Sequence, residues 1–172
     1  MNNKTKKIVL NGLMIALVCI STMAIQIPVP GTHGYVNIGD SIIFVTSILF
    51  GPISGFLAGG MGSAFADILS GYTHWALFTF IIKGLEGYIV GMLAKKGDTI
   101  FKNVSSTIIG AIIMVLGYFI AGAFLEGSFA VSSTSIPSNS IQGIVSIIVS
   151  LPIYQSLSNI NYIKSLKKHS QI

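Results

Sequence analysis

Long uncharged apolar runs bounded by lysine clusters limit this chain's fold more than any other feature, because almost no charge falls inside the runs. All ten basic residues are lysines. Nine of them form three groups: Lys4, Lys6 and Lys7; Lys95, Lys96 and Lys102; Lys164, Lys167 and Lys168. Charged residues are 9% of the chain and hydrophobic residues 52%, whereas soluble domains are about 25% charged. Such a chain lacks the groups to coat a water-facing surface, so its solvent is a bilayer. The net charge of +5 then reads as membrane topology. Nucleic acid is excluded as a partner, since no basic groove interleaved with aromatics accompanies the charge.

Six apolar stretches can be read: about 8–27, 38–50, 53–69, 75–94, 104–125 and 141–157. A spanning helix needs about 17–25 residues, so the second run must pack inside the bundle or borrow from its flanks. Six spans put all three lysine clusters on one side, which the positive-inside rule makes cytoplasmic. Four spans would also place both ends inside, but would leave two long apolar runs out of the membrane. The expected fold is therefore an all-α integral membrane protein. It is a six-transmembrane-helix bundle formed by residues 1–172 as one domain, multi-pass in the cell membrane, with both termini cytoplasmic. A secretory signal is the rival reading of residues 1–24, but that run exceeds a signal core of about 7–15 residues, and losing it breaks the even count. Cys19 is the only cysteine and can form no internal disulfide. The serine-rich stretch 132–138 reads as an exposed loop.

In a bilayer the informative residues are those that are expensive to keep there. Asp67, Lys83 and Glu86 lie within apolar runs, and Asp40 begins one. A charge at the centre of a span costs roughly 2.5–3.5 kcal/mol on insertion scales, so each should meet a partner or a wet cavity. At about 1.5 Å per residue, Asp40 starts the second helix at the outer surface, and Lys83 lies about 12 Å inward from Trp75. Asp67 and Lys83 sit at compatible depths and could pair between helices; Lys83 and Glu86 could pair on one helix. These charges could simply lock the bundle. Their surroundings also suit a polar pocket open to the outside. His33, Tyr35 and Asn37 fall in the first outer connection, Tyr72, His74 and Trp75 in the second, and Glu126, Asn139 and Gln142 flank the third. Aromatic faces beside hydrogen-bonding groups fit a small, flat, polar molecule.

Small residues recur at four-residue spacing: Gly51, Gly55 and Gly59, overlapped by Ala58, Gly62 and Ala66, with Gly84, Gly87 and Gly91 on the next helix. That pattern lets helix backbones approach closely in lipid. Gly12 and Ala16 on the first helix either pack in the same way or form a docking face for a partner.

The motifs of several chemistries are absent. There is no P-loop, no His-Glu-x2-His and no Gly-x-Ser-x-Gly. Three histidines without cysteine pairs argue against a metal site, and no cofactor is expected. An intramembrane aspartyl protease using Asp40 and Asp67 is sound chemistry, but such enzymes carry Gly-x-Gly-Asp and this chain reads Asn37-Ile38-Gly39-Asp40. Binding or transport outranks catalysis, and a membrane assembly protein is the non-transport alternative.

Five segments taken together carry a family resemblance. They are Asn37-Ile38-Gly39-Asp40, Leu49-Phe50-Gly51-Pro52-Ile53-Ser54-Gly55, the stretch from Gly59 to Asp67, Ile82-Lys83-Gly84-Leu85-Glu86-Gly87, and Asn139-x2-Gln142. In that order they resemble the substrate-binding S component of energy-coupling factor (ECF) vitamin transporters. The nearest branch is the one for hydroxymethylpyrimidine, a thiamine precursor, and vitamin B6 forms; riboflavin or another vitamin is the alternative. The resemblance implies six helices, an outward vitamin pocket, a transmembrane coupling subunit and two cytoplasmic ATPases that supply the chemistry this chain lacks. The expected substrate-binding residues are Tyr35, Asn37, Asp40, Asp67, His74, Trp75, Lys83, Asn139 and Gln142. The family's Ala-x3-Ala docking motif has its nearest match at Gly12-x3-Ala16, which keeps small size but departs from the pattern.

Overall fold

The computed structural model describes residues 2–29, 35–94 and 99–161, together with 163 and 166. His33, Lys95, Lys96, Lys164, Lys167 and Lys168 lie outside the described residues.

The first helix, α1 (Asn3–Ala24), starts at Asn2, whose side chain accepts the Lys4 N–H at 3.5 Å. It stops three residues short of the apolar run. The chain then forms a small antiparallel hairpin, β1 (Gln26–Pro28) with β2 (Tyr35–Asn37), in which Ile27 faces Val36. The reason is local: Pro28 disfavours helical geometry at Ile27, and β-branched Ile25 and Ile27 fit an extended chain. This hairpin is the one departure from the all-α expectation among the described residues.

The short second run packs inside the bundle. Helix α2 (Gly39–Phe50) has 12 residues, and all but Ile42 are buried; at about 1.5 Å per residue it covers only about 18 Å. Gly51, at φ 86°, turns the chain directly into α3 (Pro52–Leu69), with Pro52 in the first turn, where a missing N–H costs nothing.

Helix α4 (Thr73–Ala94) runs back along α3, and the two make the most extensive contact in the molecule. The glycine stripe is the cause. Gly55 and Gly87 lie backbone against backbone, so a Cβ on either would strike the other's carbonyl. A Cβ on Gly59 would likewise strike the Lys83 carbonyl. Gly62 faces α1 instead, where a Cβ would come within 2.7 Å of the Ile15 carbonyl oxygen. Gly12 and Ala16 differ from all of these: both are exposed on the outer face of α1, and a Cβ at Gly12 meets nothing.

Helix α5 (Ile100–Leu125) returns to the hairpin end, and two further helices follow, the short α6 (Phe129–Ser133) and the long α7 (Ser135–Ser158). The expected loop over 132–138 is therefore helical, with Ser132 and Ser135 buried. Ser128 caps α6 by accepting the Val131 N–H at 3.3 Å, and Ser132 donates to the Phe119 carbonyl at 2.6 Å. Serines that cap and back-bond in this way leave a polar composition inside helices. Helices α1 to α5 and α7 thus alternate in direction between a hairpin end and an opposite end that carries Asn2 and Lys102.

Four described stretches are long and apolar enough to cross a bilayer: Lys4–Ala24, Thr73–Ala94, Ile100–Leu125 and Phe129–Ser158. Their outward faces are apolar, with Ile112 52%, Phe124 76% and Ile148 65% exposed, as lipid contact requires.

Candidate substrate-binding cavity

At the hairpin end the bundle encloses a cavity with room for the centres of water-sized molecules over about 40 Å³. The hairpin contributes Val29, Tyr35 and Asn37 to its wall, α3 contributes Ser63 and Asp67, and α4 contributes Trp75 and Thr79. Thr22 closes one side from α1 and Tyr118 another from α5, while Ser135 and Asn139 enter from α7. Of the residues expected at the site, the structure brings Tyr35, Asn37, Asp67, Trp75 and Asn139 onto this wall.

The aromatics are held by one another and by hydroxyl contacts. The ring of Tyr35 meets that of Tyr72 at 4.7 Å between centroids, and Trp75 meets Tyr118 edge-on at 5.8 Å. The Tyr35 hydroxyl donates to Asp67 Oδ1 at 2.7 Å, and the Tyr118 hydroxyl donates to Thr79 Oγ1 at 3.2 Å. Burial, followed by the neighbouring Asp67 carboxylate, pushes the Tyr35 phenol far above its ordinary range, so this hydroxyl is a fixed donor. Asp67 Oδ2 and Thr22 Oγ1 are buried without a hydrogen-bond partner. Buried polar atoms are normally satisfied, so two orphans on one cavity wall point to a missing occupant.

Beneath the cavity lies a second polar cluster. Lys83 is paired with Asp40, and its ammonium is also 3.2 Å from Glu86 Oε2. Gln142 donates from Nε2 to Asp40 Oδ2 at 2.7 Å, and its Oε1 accepts the Asn37 N–H at 2.7 Å. The Lys83 ammonium sits 5.4 Å from the centre of the Tyr118 ring, which separates it from the cavity. Two expectations are corrected here. Asp40 is not at a surface: it is 0% exposed, because the hairpin and α7 cover the start of α2. Lys83 pairs with Asp40 and, as one of the two expected pairings had it, with Glu86; the other expected pairing, with Asp67, is not formed.

Asp40, Lys83 and Gln142 therefore do not line the cavity wall. They form a support that ties α2, α4 and α7 to the hairpin strand. His74 does not line it either: it is exposed, stacked loosely beside Trp75 at 6.2 Å, because it falls one position off the inward face of α4. Thr22, Ser63, Thr79, Tyr118 and Ser135 were not anticipated. Only the hydroxyl-bearing residues amid apolar runs could have signalled them.

Fold and cavity together define a multi-pass membrane protein that holds a small-molecule site at one end of its bundle. Residues 2–159 match the family described as "ECF-type riboflavin transporter, S component", and the chain belongs to that family. It is a substrate-binding component of a transporter rather than an enzyme. A relative from Pyrococcus woesei, bearing the name "Uncharacterized protein in gap 3'region", is 48% identical over 101 residues, covering 59% of this chain and 68% of the relative. The thiamine precursor transporter HmpT of Lactococcus lactis subsp. cremoris (strain MG1363) is 28% identical over 120 residues, covering 69% of this chain and 68% of that protein. Among solved structures, the S component of a bacterial ECF transporter superposes with a TM-score of 0.76 at 21% identity, over 91% of this chain and 97% of that one. At that identity the likeness concerns the fold.

Proposed function

We propose that this chain binds a small vitamin or vitamin precursor with a single aromatic ring, of the hydroxymethylpyrimidine or pyridoxine type. Import would be energised by a separate coupling subunit and two ATPases. The cavity carries the reading. At roughly 10–15 Å³ of such space per water, 40 Å³ holds about three waters, or about 90 Å³ of liquid at about 30 Å³ each. That is less than one substituted ring occupies, so even a single-ring ligand needs a modest adjustment of the wall. A flavin has three fused rings and a sugar-alcohol tail, and its entry would require the wall to repack. The wall chemistry agrees: Trp75, Tyr35 and Tyr118 offer ring faces, and Asp67, Asn139 and Thr22 offer polar edges. HmpT, named as a thiamine precursor transporter, supports the same substrate class.

The exposed Gly12–Ala16 face of α1 supports a docking role for that helix. Neither residue is used inside the bundle, so the small stripe is available to a partner helix in the membrane. The lysine clusters support an arrangement with the cavity facing outward and both termini inside.

Trp75 is the chain's only tryptophan, so its fluorescence reports on the cavity wall. Titration of the purified protein with hydroxymethylpyrimidine, pyridoxine and riboflavin is the test. Saturable quenching by a single-ring compound, at lower concentrations than by riboflavin, is the expected outcome. Tighter binding of riboflavin would overturn the single-ring reading.

A further inference from the structure

The orphaned carboxylate oxygen in the cavity has a consequence for what the site selects. Asp67 is 4% exposed, its Oδ1 is taken by the Tyr35 hydroxyl, and its Oδ2 has no hydrogen-bond partner. The Tyr35 hydroxyl fixes the carboxylate from one side, and the Thr79 hydroxyl lies within reach of the same group. The carboxylate is thus held by its neighbours rather than left to rotate. Across the described residues of the wall, Asp67 is the only carboxylate and no cationic side chain appears. The nearest ammonium, on Lys83, is withdrawn behind the Tyr118 ring and committed to Asp40 and Glu86. Thr22 Oγ1, the second orphan, adds a hydroxyl that can donate or accept.

A carboxylate with no cation on its own wall has, when ionised, a definite preference. It is satisfied by an N–H donor, best on a ring that can carry positive charge, and it repels an anion held in the same low-dielectric space. We propose that Asp67 Oδ2 is the specificity determinant of the cavity. It accepts a hydrogen bond from a ring-borne amino or protonated ring nitrogen, and so admits uncharged or cationic nitrogen heterocycles while rejecting their phosphate esters. This rests on the binding role proposed above and goes further by naming the donor edge and the charge of the ligand.

The test uses the full chain in nanodiscs and Trp75 fluorescence. The probes are 4-amino-5-hydroxymethyl-2-methylpyrimidine, the same ring with hydrogen in place of the amino group, and the phosphate monoester of the amino compound. A hydrogen bond to a charged group is worth about tenfold to a hundredfold in affinity. The amino compound should therefore bind the unmodified protein tighter than its desamino counterpart by about that factor, and the phosphate ester should not saturate. In Asp67→Asn the preference for the amino ring should shrink by about threefold or more, since the amide keeps an acceptor oxygen but loses the charge. The analogue comparison is made on the unmodified protein, so it holds even where Asp67→Asn folds poorly. Equal affinity for the amino and desamino rings would overturn the Asp67 inference while leaving the binding role intact, as would tight binding of the phosphate ester. Absence of any quenching by all three compounds would overturn both.

Discussion

Replacing Lys83 by Met should destabilise the bundle severely, because, among the described residues, the lysine is the only cation paired with two buried carboxylates. Asp40 and Glu86 are each 0% exposed, Lys83 is 1% exposed, and all three lie together in the bundle interior. Met matches the apolar stem of Lys, so little packing is lost and the electrostatic loss dominates. Removing one partner of a buried pair typically costs about 3–5 kcal/mol, because the other charge is left uncompensated. Gln142 still donates to Asp40, whereas Glu86 loses its ion-pair partner. For a chain of this size, about 2–4 °C of Tm is lost per kcal/mol, so a fall of roughly 6–20 °C is expected. Thermal unfolding of the protein in nanodiscs measures it. The companion variant Lys83→Met with Asp40→Asn and Glu86→Gln removes all three charges at once. It should recover most of the loss, since a neutral replacement of a buried ionic group is often nearly neutral. If Lys83→Met alone unfolds within about 2 °C of the unmodified protein, which corresponds to less than about 1 kcal/mol, the cluster does not hold the bundle together.

The remaining predictions concern packing, docking and orientation. Gly87→Val should cost about 1–3 kcal/mol, because its side chain would be driven into the Gly55 carbonyl at the tightest point between α3 and α4; an unchanged Tm would refute that contact. Ala16→Trp should abolish ATP-driven uptake and co-purification of the coupling subunit while ligand binding by the isolated protein persists, since the residue is exposed on α1. Joint loss of folding and binding would instead mean that the stripe packs within the bundle. In a Cys19→Ser background, a cysteine at Thr73 should react with an impermeant thiol reagent added to intact cells, and one at Lys102 should not; the reverse pattern would invert the proposed orientation.

What could be read from the sequence, and what could not, follows from how each residue signals. The α3–α4 contact was legible because Gly55, Gly59, Gly84 and Gly87 carry a spacing that has one main use in lipid. The Lys83–Glu86 pair was legible from their separation of three residues. The position of Asp40 was not, because a residue at the start of a helix is ordinarily near a surface, and only the folded hairpin reveals that this start is capped. That hairpin was itself hidden: Ile25 and Ile27 continue the apolar run with only Gln26 between them, and Pro28 and Pro30 read simply as its end. Ser132 and Ser135 carry loop composition yet satisfy their hydroxyls against helix carbonyls. At the cavity, Asp67, Trp75 and Asn139 stood out as polar or aromatic residues near a membrane face. Thr22 and Tyr118 did not, since single hydroxyls in otherwise apolar helices look like ordinary packing until a cavity opens beside them.

Transport driven by a partner is tested most directly by uptake of radiolabelled hydroxymethylpyrimidine into cells lacking other import routes. The chain is expressed alone and together with an ECF coupling subunit and its two ATPases. Accumulation against the gradient only when all subunits are present, and its collapse when ATP is depleted, is the expected result. Accumulation by the chain alone, or none with the full set despite Trp75 quenching by the same compound, would contradict it.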